Sequence, residues 1–371
     1  MYRPIFLSVW GVIFWMGANR FFIDGMYAFW ASRFIPLLIL TIYISFYNKK
    51  IYLLNKDSAI WISFFTLSFL IFFTGIFSAE YEWPLKKGLA WLMAISTLFL
   101  IQPFLNNTCD IKLIIKVLLW CSVVYFFYVV YQYVTYTGVN FIQDGINKAR
   151  SVEIFFVGFF SLVYFRKLNI WISLFSLPVF FAIVMLSGSL KLFISLLPLI
   201  VLLTLKNVRI WVILIPLLMY LNLDIPVIDR AFYLFGMETT EYASNDISGN
   251  LSLRNLFFDI VDGKSIIFGN GLENERIIIG TIFHSTPLSL LYGVGVVGVV
   301  LFYFPFVKKM KDSLVLHIKG FDSSYSVAGL ISIFIYSLSS PLYTSPLLLF
   351  LLVIIFNLVR VAVHARTNRY K

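Results

Sequence analysis

The chain has 371 residues, 60% of them hydrophobic and 13% charged, with a mean hydropathy of +0.90, whereas soluble proteins carry roughly 25% charged residues. That balance excludes a wholly water-soluble fold, and the apolar residues gather in separate blocks of about membrane-spanning length, rich in Phe, Tyr and Trp. The formal charge of +11 is spread over short links between those blocks, with no separate basic-aromatic domain, so it reads as membrane topology and argues against a nucleic-acid partner.

Met1-Tyr2-Arg3 leads into the first apolar run without a small-residue cleavage signature, so this block is expected to be retained. Candidate spans then follow at 4–19, 25–46, 59–77, 88–105, 113–135, 151–165, 168–186, 189–205, 208–223, 284–307, 325–340 and 345–359. The runs are too long and continuous for the alternating strands of a barrel, and backbone amides in lipid need partners within their own segment. The expected fold is therefore all-α, a polytopic transmembrane helix bundle of about twelve spans forming a single integral-membrane domain over 1–371.

Charge placement orients the bundle. With the N-terminus inside, the cytoplasmic links hold Arg3, Lys49, Lys50, Lys56, Lys112, Arg166, Lys167, Lys206, Arg209, Lys308, Lys309, Lys311, Lys319 and the basic C-terminal tail. On the opposite side Lys86 and Lys87 follow Glu80 and Glu82, and Arg20 is close to Asp24. An even number of spans places both termini in the cytoplasm.

The longest interruption, 225–283, falls on the external side and its acids outnumber Arg230, Arg254, Lys264 and Arg276. Its middle, 238–250, is polar, and Leu251 to Val261 carries apolar residues at the spacing of a short amphipathic helix. Gly263 and Gly269-Asn270-Gly271 punctuate the segment, but no strand precedes them and no Lys-Ser/Thr ending follows, so this is not a nucleotide loop. Cys109 and Cys121 form neither a disulfide framework nor a thiolate metal site. The pairs Asp259/Asp262 and Glu273/Glu275 do not define a coordination shell, so no metal or other cofactor is expected.

His284 stands where the external segment enters the tenth candidate span. His284-Ser285-Thr286-Pro287 opens a run containing Gly293, Gly295 and Gly298, where proline suits a first helical turn and small residues permit close packing. A neutral imidazole accepts a hydroxyl proton near neutral pH, so His284 is a candidate general base, the alternative being a boundary histidine with a structural hydrogen bond. Arg254, Arg230 and, in another external link, Arg150 offer planar donors to a phosphate; salt bridges to Asp229 or Asp259, or headgroup contact, are the plainer reading. Arg33 lies inside a candidate span and must face the bundle interior or snorkel outward; as an intramembrane charge it is a candidate substrate-binding residue, the alternative being a purely architectural role. Lys191, after the Ser187-Gly188-Ser189 turn, either anchors a helix end or meets the same anion.

In this order of parts the chain resembles the bacterial O-antigen polymerase and O-antigen ligase superfamily of membrane glycosyltransferases. Arg254, then Gly269-Asn270-Gly271, then His284 before a Gly-rich helix match its loop arginine, Gly-x-Gly and histidine, and Arg150 matches an arginine of an earlier external link. Ser187-Gly188-Ser189-Leu190-Lys191 is similar to its Ser-Arg-Gly turn, with Lys191 in place of arginine, and Tyr292 stands near the position of an acid often found before Gly-x-x-Gly. The resemblance implies a multi-pass protein of the bacterial inner membrane, a periplasmic 225–283 loop, and a role in lipopolysaccharide or related polysaccharide biosynthesis. It implies a polyprenyl-diphosphate-linked oligosaccharide, such as an undecaprenyl diphosphate, as donor, membrane lipids as surroundings and a polysaccharide chain-length regulator as a partner. Arg150 and Arg254, assisted by Arg230 or Lys191, would hold the diphosphate, and His284 would activate the acceptor hydroxyl. Polymerization onto a lipid-linked repeat is favoured; the alternatives are ligation to the lipid A core and a lipid-linked oligosaccharide flippase or transporter.

Overall fold

The computed structural model describes residues 2–19, 26–46, 57–78, 82–135, 148–165, 190–206, 256–280, 283–320 and 323–367. Among the described residues the α-helices are, in chain order, α1 (Tyr2–Asn19), α2 (Met26–Phe46), α3 (Ser58–Ile76), α4 (Glu82–Ile101), α5 (Thr108–Thr135), α6 (Lys148–Phe165), α7 (Leu190–Lys206), α8 (Gly263–Phe268), α9 (Glu275–Ile279), α10 (Thr286–Ile318), α11 (Ser324–Ser339) and α12 (Pro346–Thr367). Residues 256–260 are also helical. Every candidate span within the described residues coincides with a helix; those at 168–186 and 208–223, and the 225–255 part of the long interruption, lie outside them. Among the described residues five helices are long and apolar enough to cross a membrane, and Arg3–Gly17, Arg33–Phe46, Val152–Phe165 and Ser324–Ser339 are shorter apolar stretches. The chain is an all-α, multi-pass membrane-helix bundle.

Its axis is α12. Leu347 to Ile355 are all buried, and α12 is buried over most of its apolar length, the other long spans over half or less, which places α12 inside a ring of helices. It touches α1, α4, α5, α6, α10 and α11. A helix that is apolar on every side is stable only where every side is covered by protein or lipid, and the run Leu347 to Phe356 has no polar residue to direct outward.

The opposite surfaces of the outer helices meet lipid, as with Phe69 and Phe73 of α3 and Val296, Val297 and Val300 of α10, all exposed. Helices extend past the apolar runs that announce them: α4 takes in Glu82 to Lys87, and α5 begins where Asn107 Oδ1 accepts from the Asp110 amide at 2.8 Å. Hydropathy marks the length in contact with lipid, whereas the hydrogen-bond ladder continues while side chains can cap or pair it.

One end of the bundle is tied by ions. Arg3 pairs with Asp110 at 2.6 Å and donates to the Phe104 carbonyl at 3.0 Å. Arg360 reaches the Leu105 carbonyl at 3.1 Å and Asn106 Oδ1 at 2.6 Å, and Lys309 pairs with Asp57 at 2.6 Å with both partners buried. These bonds gather the ends of α1, α3, α4, α5, α10 and α12, so Arg3 and Lys309, both expected on the cytoplasmic side, share an end.

At the other end α10 is broken. Gly295 has φ 77 and ψ −177 inside an otherwise helical stretch, which interrupts the ladder and releases carbonyls on its N-terminal side. The Gly-x-Gly segment takes them: the Asn270 amide donates to the Tyr292 carbonyl at 2.8 Å and the Gly271 amide to the Gly293 carbonyl at 2.9 Å. Contact is close enough to demand glycine, since a Cβ at 293 would lie 2.7 Å from Leu272 Cα and one at 295 would lie 2.4 Å from the Ile267 carbonyl oxygen. Gly295→Ala should therefore lower the stability of the purified protein by about 1–3 kcal/mol from backbone strain alone, with the steric overlap adding to it. Thermal unfolding in detergent checks this, and a variant as stable as the parent would show that the junction does not hold the segment.

Candidate functional site

The segment that returns to α10 is built from local caps. Asp262 opens α8, its Oδ1 accepting from the Ser265 amide at 2.7 Å and from the Ser265 hydroxyl, and these bonds hold the Asp262 carboxyl below its usual range. The Ser265 hydroxyl also accepts from Asn270 Nδ2 at 2.7 Å, which fixes the Gly-x-Gly turn relative to the helix before it. Phe257, Phe283 and Tyr292 form a small apolar cluster under this layer, packed by Ile260, Val261, Leu288 and Leu291.

Immediately after the turn come Glu273-Asn274-Glu275-Arg276. Glu273 adopts φ 65, unusual for a residue with a side chain, and its fully buried carboxylate is shared by two cations: Lys87 Nζ at 2.9 Å from Oε1 and Arg276 Nε at 3.1 Å from Oε2. A carboxylate held by two cations satisfies the need for pairing that burial imposes. Arg33 lies close enough to Lys87 to act on it as a like charge, so this buried arginine of α2 does face the bundle interior. Glu273 thus joins α4 to the return segment through Lys87 and Arg276, with Arg33 of α2 nearby.

Glu275, two residues on, has a different environment. Its Oε1 accepts from the Phe283 amide at 3.4 Å and the Ser289 hydroxyl at 3.2 Å, while its buried Oε2 has no hydrogen-bond partner among the described residues. Burial, reinforced by the neighbouring Glu273 charge and opposed by those bonds, pushes its carboxyl up to about 7. Tyr343 completes the wall: its buried hydroxyl, close to both carboxylates, is driven to a far weaker acidity chiefly by burial. It is delivered by the α11–α12 turn, which the Thr286 hydroxyl fixes by donating to the Ser340 carbonyl at 2.6 Å and accepting from the Leu342 amide at 2.7 Å.

His284 is exposed, between buried Phe283, whose amide serves Glu275, and Ser285, the residue that precedes α10. Pro287 occupies the first turn of α10, as its position predicts. Lys191 is half-buried at the start of α7, which packs against α11. Arg150 belongs to the first turn of α6, with its side chain outside the described residues, and Arg230 and Arg254 lie outside them altogether. The structure therefore brings Arg33 and His284 to the same end as the Glu273 cluster and places Lys191 on the α7–α11 pair.

The sequence points to Lys87 only as an external charge and to Glu273 and Glu275 only as a weak acid pair. Their readable signal is two acids and an arginine, the Glu273 and Arg276 pair at i,i+3, directly after Gly-x-Gly and before an apolar run. Among the described residues, no group of three His, Cys, Asp or Glu side chains gathers as metal ligands do. What the arrangement offers is proton exchange near neutral pH from Glu275 and a cationic surround from Lys87, Arg276 and Arg33. No protein-family model, curated protein or solved structure matches the chain.

The raised Glu275 carboxyl carries a sign. Between its ordinary value of 4.5 and about 7 the folded state holds a proton that the unfolded state has lost. Its stabilising contribution is thus complete below about 4.5 and falls by up to about 1.4 kcal/mol per pH unit on the way to 7, then levels off. Glu275→Gln, which keeps the shape of the protonated form, should flatten the dependence of unfolding temperature on pH between about 5 and 7. An unchanged slope would mean that another group titrates there.

Proposed function

We propose that the chain is a membrane glycosyltransferase that polymerizes a lipid-linked surface polysaccharide of the O-antigen kind. The observation that carries this reading is the meeting, at one end of a membrane-helix bundle, of the Gly-x-Gly segment, the Gly-rich start of α10, the His284 imidazole and the partly exposed cations Lys87 and Arg276 around buried Glu273. A substrate that is a lipid at one end and a sugar diphosphate at the other needs such a place, where apolar surface, cationic donors and a proton acceptor lie within one reach. The basic residues at the opposite end, Arg3, Lys308, Lys309 and Lys311 among them, support a cytoplasmic assignment for that end, with the site periplasmic and both termini inside the cell.

In the proposed reaction a hydroxyl oxygen of the acceptor attacks the anomeric carbon of the donor glycan. The bond from that carbon to the diphosphate breaks, and the diphosphate leaves with the electron pair while the hydroxyl proton passes to His284. Arg150 and Arg254, assisted by Arg230 or Lys191, stabilise the negative charge that grows on the leaving group, as fixed cations do when they are placed where charge develops. Direct attack with inversion is the economical course, since the reading assigns no carboxylate to the role of nucleophile. The diphosphate supplies the activation, so the transfer needs no nucleotide.

Purified protein given synthetic polyprenyl-diphosphate-linked repeats should elongate them. His284→Ala should retain donor binding while elongation falls by about 100-fold or more, the usual weight of a positioned acid–base group. In cells lacking the activity, single repeats should accumulate on the carrier. Accumulation of full-length polymer on the carrier would assign the chain to ligation instead, and movement of the intact lipid across the membrane without chain growth would assign it to transport.

A further inference from the structure

The helix α8 is covered on one side only. Its backbone is pressed against the break in α10, with the Ile267 carbonyl facing Gly295 and Gly269 facing the Gly293 carbonyl. Its other side presents Ile266, Ile267 and Phe268, of which Ile267 is 56% and Phe268 66% exposed. In a short segment otherwise capped by hydrogen bonds, three consecutive apolar side chains turned outward call for a partner.

The height of α8 identifies that partner. Asp57, just before α3, pairs with Lys309 at one end of the bundle, and a Cβ at Gly271 would touch Ser78 and Pro84 at the other. The 19 residues of α3 rise about 28 Å at ~1.5 Å each, close to the ~30 Å thickness of a bilayer's hydrocarbon core. Gly271, and with it the end of α8, therefore lies at the boundary between hydrocarbon and headgroups. Beside it the exposed side chains of the spans are apolar: Phe73, Ile76 and Phe77 at the end of α3, and Val296, Val297 and Val300 just past the break in α10. Exposed Lys264 is a neighbouring cation of the kind that reaches for lipid phosphate from such a position, and partly exposed Lys86 lies close by, paired with Glu82.

We infer that α8 is an interfacial membrane helix, its Ile266, Ile267 and Phe268 side chains immersed in lipid acyl chains as a continuation of the lipid-facing surface of α3 and α10. The Glu273 ion cluster, which begins two residues after Gly271, is thereby held at the depth of the phosphate headgroups. The inference rests on the bundle and its exposed surfaces and stands apart from the proposed transfer reaction.

The test uses the full chain reconstituted in phosphatidylcholine vesicles. In a Cys109→Ser, Cys121→Ser background, single cysteines are introduced as Ile267→Cys, Phe268→Cys and Lys264→Cys and labelled with an environment-sensitive fluorophore. Each is then exposed to two quenchers, doxyl groups carried on the lipid acyl chains and iodide in the water. Labels at 267 and 268 should be quenched several-fold more by the acyl-chain doxyl than by iodide, with the reverse order at 264. Preferential quenching by iodide at 267 and 268 would overturn the inference, as would protection there from both quenchers, the result expected if a second copy or another protein covers the helix. Positions 267 and 268 are read independently, so loss of one variant to misfolding leaves the other to decide, and a parental unfolding temperature certifies the background.

Discussion

Two backbone hydrogen bonds, from Asn270 to the Tyr292 carbonyl and from Gly271 to the Gly293 carbonyl, join the return segment to the bundle. They are needed because α10 is broken at Gly295, and carbonyls released at the edge of the hydrocarbon have few other donors to turn to. The break and the segment are thus two halves of one device. The unwound turn supplies acceptors, the Gly-x-Gly turn supplies amides, and the absence of Cβ atoms at 293 and 295 allows the two backbones into contact. Everything that follows Gly271 inherits its position from this junction, including Glu273, Glu275 and the approach to His284.

The two ends of the bundle use buried charge differently. Where Arg3 meets Asp110 and Lys309 meets Asp57, each carboxylate is matched by a basic side chain, and the result is a set of clamps between helix ends. At the other end Glu273 is held by two cations while Glu275, 0% exposed, has only an amide and a hydroxyl for one of its oxygens. An uncompensated buried carboxylate is costly enough that the group takes up a proton instead. Glu275, with no cation at its carboxylate among the described residues, is therefore left as a neutral-pH acid, and Tyr343 closes the space beside both carboxylates.

Much of this architecture was legible in the sequence because lipid imposes simple rules. Apolar runs mark spans, Pro287 after Ser285 marks the start of α10, Arg33 within a span must face the interior or snorkel outward, of which the structure shows burial, and the spacing of Gly269 and Gly271 marks a turn. The extent of the helices beyond lipid was not legible, since it depends on side chains such as Asn107 that cap or pair them. Nor was the break at Gly295, because glycine at that spacing serves equally for close helix packing, and only the arrival of the 266–271 backbone selects an unwound turn. The character of Glu275 was the least readable feature. It arises from burial beneath Phe283 and Ser289, whereas in sequence it is one acid among several in a polar link.

For the proposed transfer the contrast between His284 and Glu275 divides the work of proton handling. A base that takes a proton from an acceptor sugar must touch the hydroxyl, and of these two residues only His284 is exposed. Glu275 is shut behind Phe283, whose amide it holds, so its influence on an incoming sugar passes through the position of that backbone. Because the next residue is His284, the bond from the Phe283 amide to Glu275 anchors the base of the imidazole's own loop to α9. An anion placed near Lys87 and Arg276 would compete with Glu273 for the same cations, and through the short α9 turn it would act on Glu275 as well. The Glu273 ion cluster and the backbone beside His284 are in this way mechanically linked, across a few residues fixed to the bundle by the glycine junction.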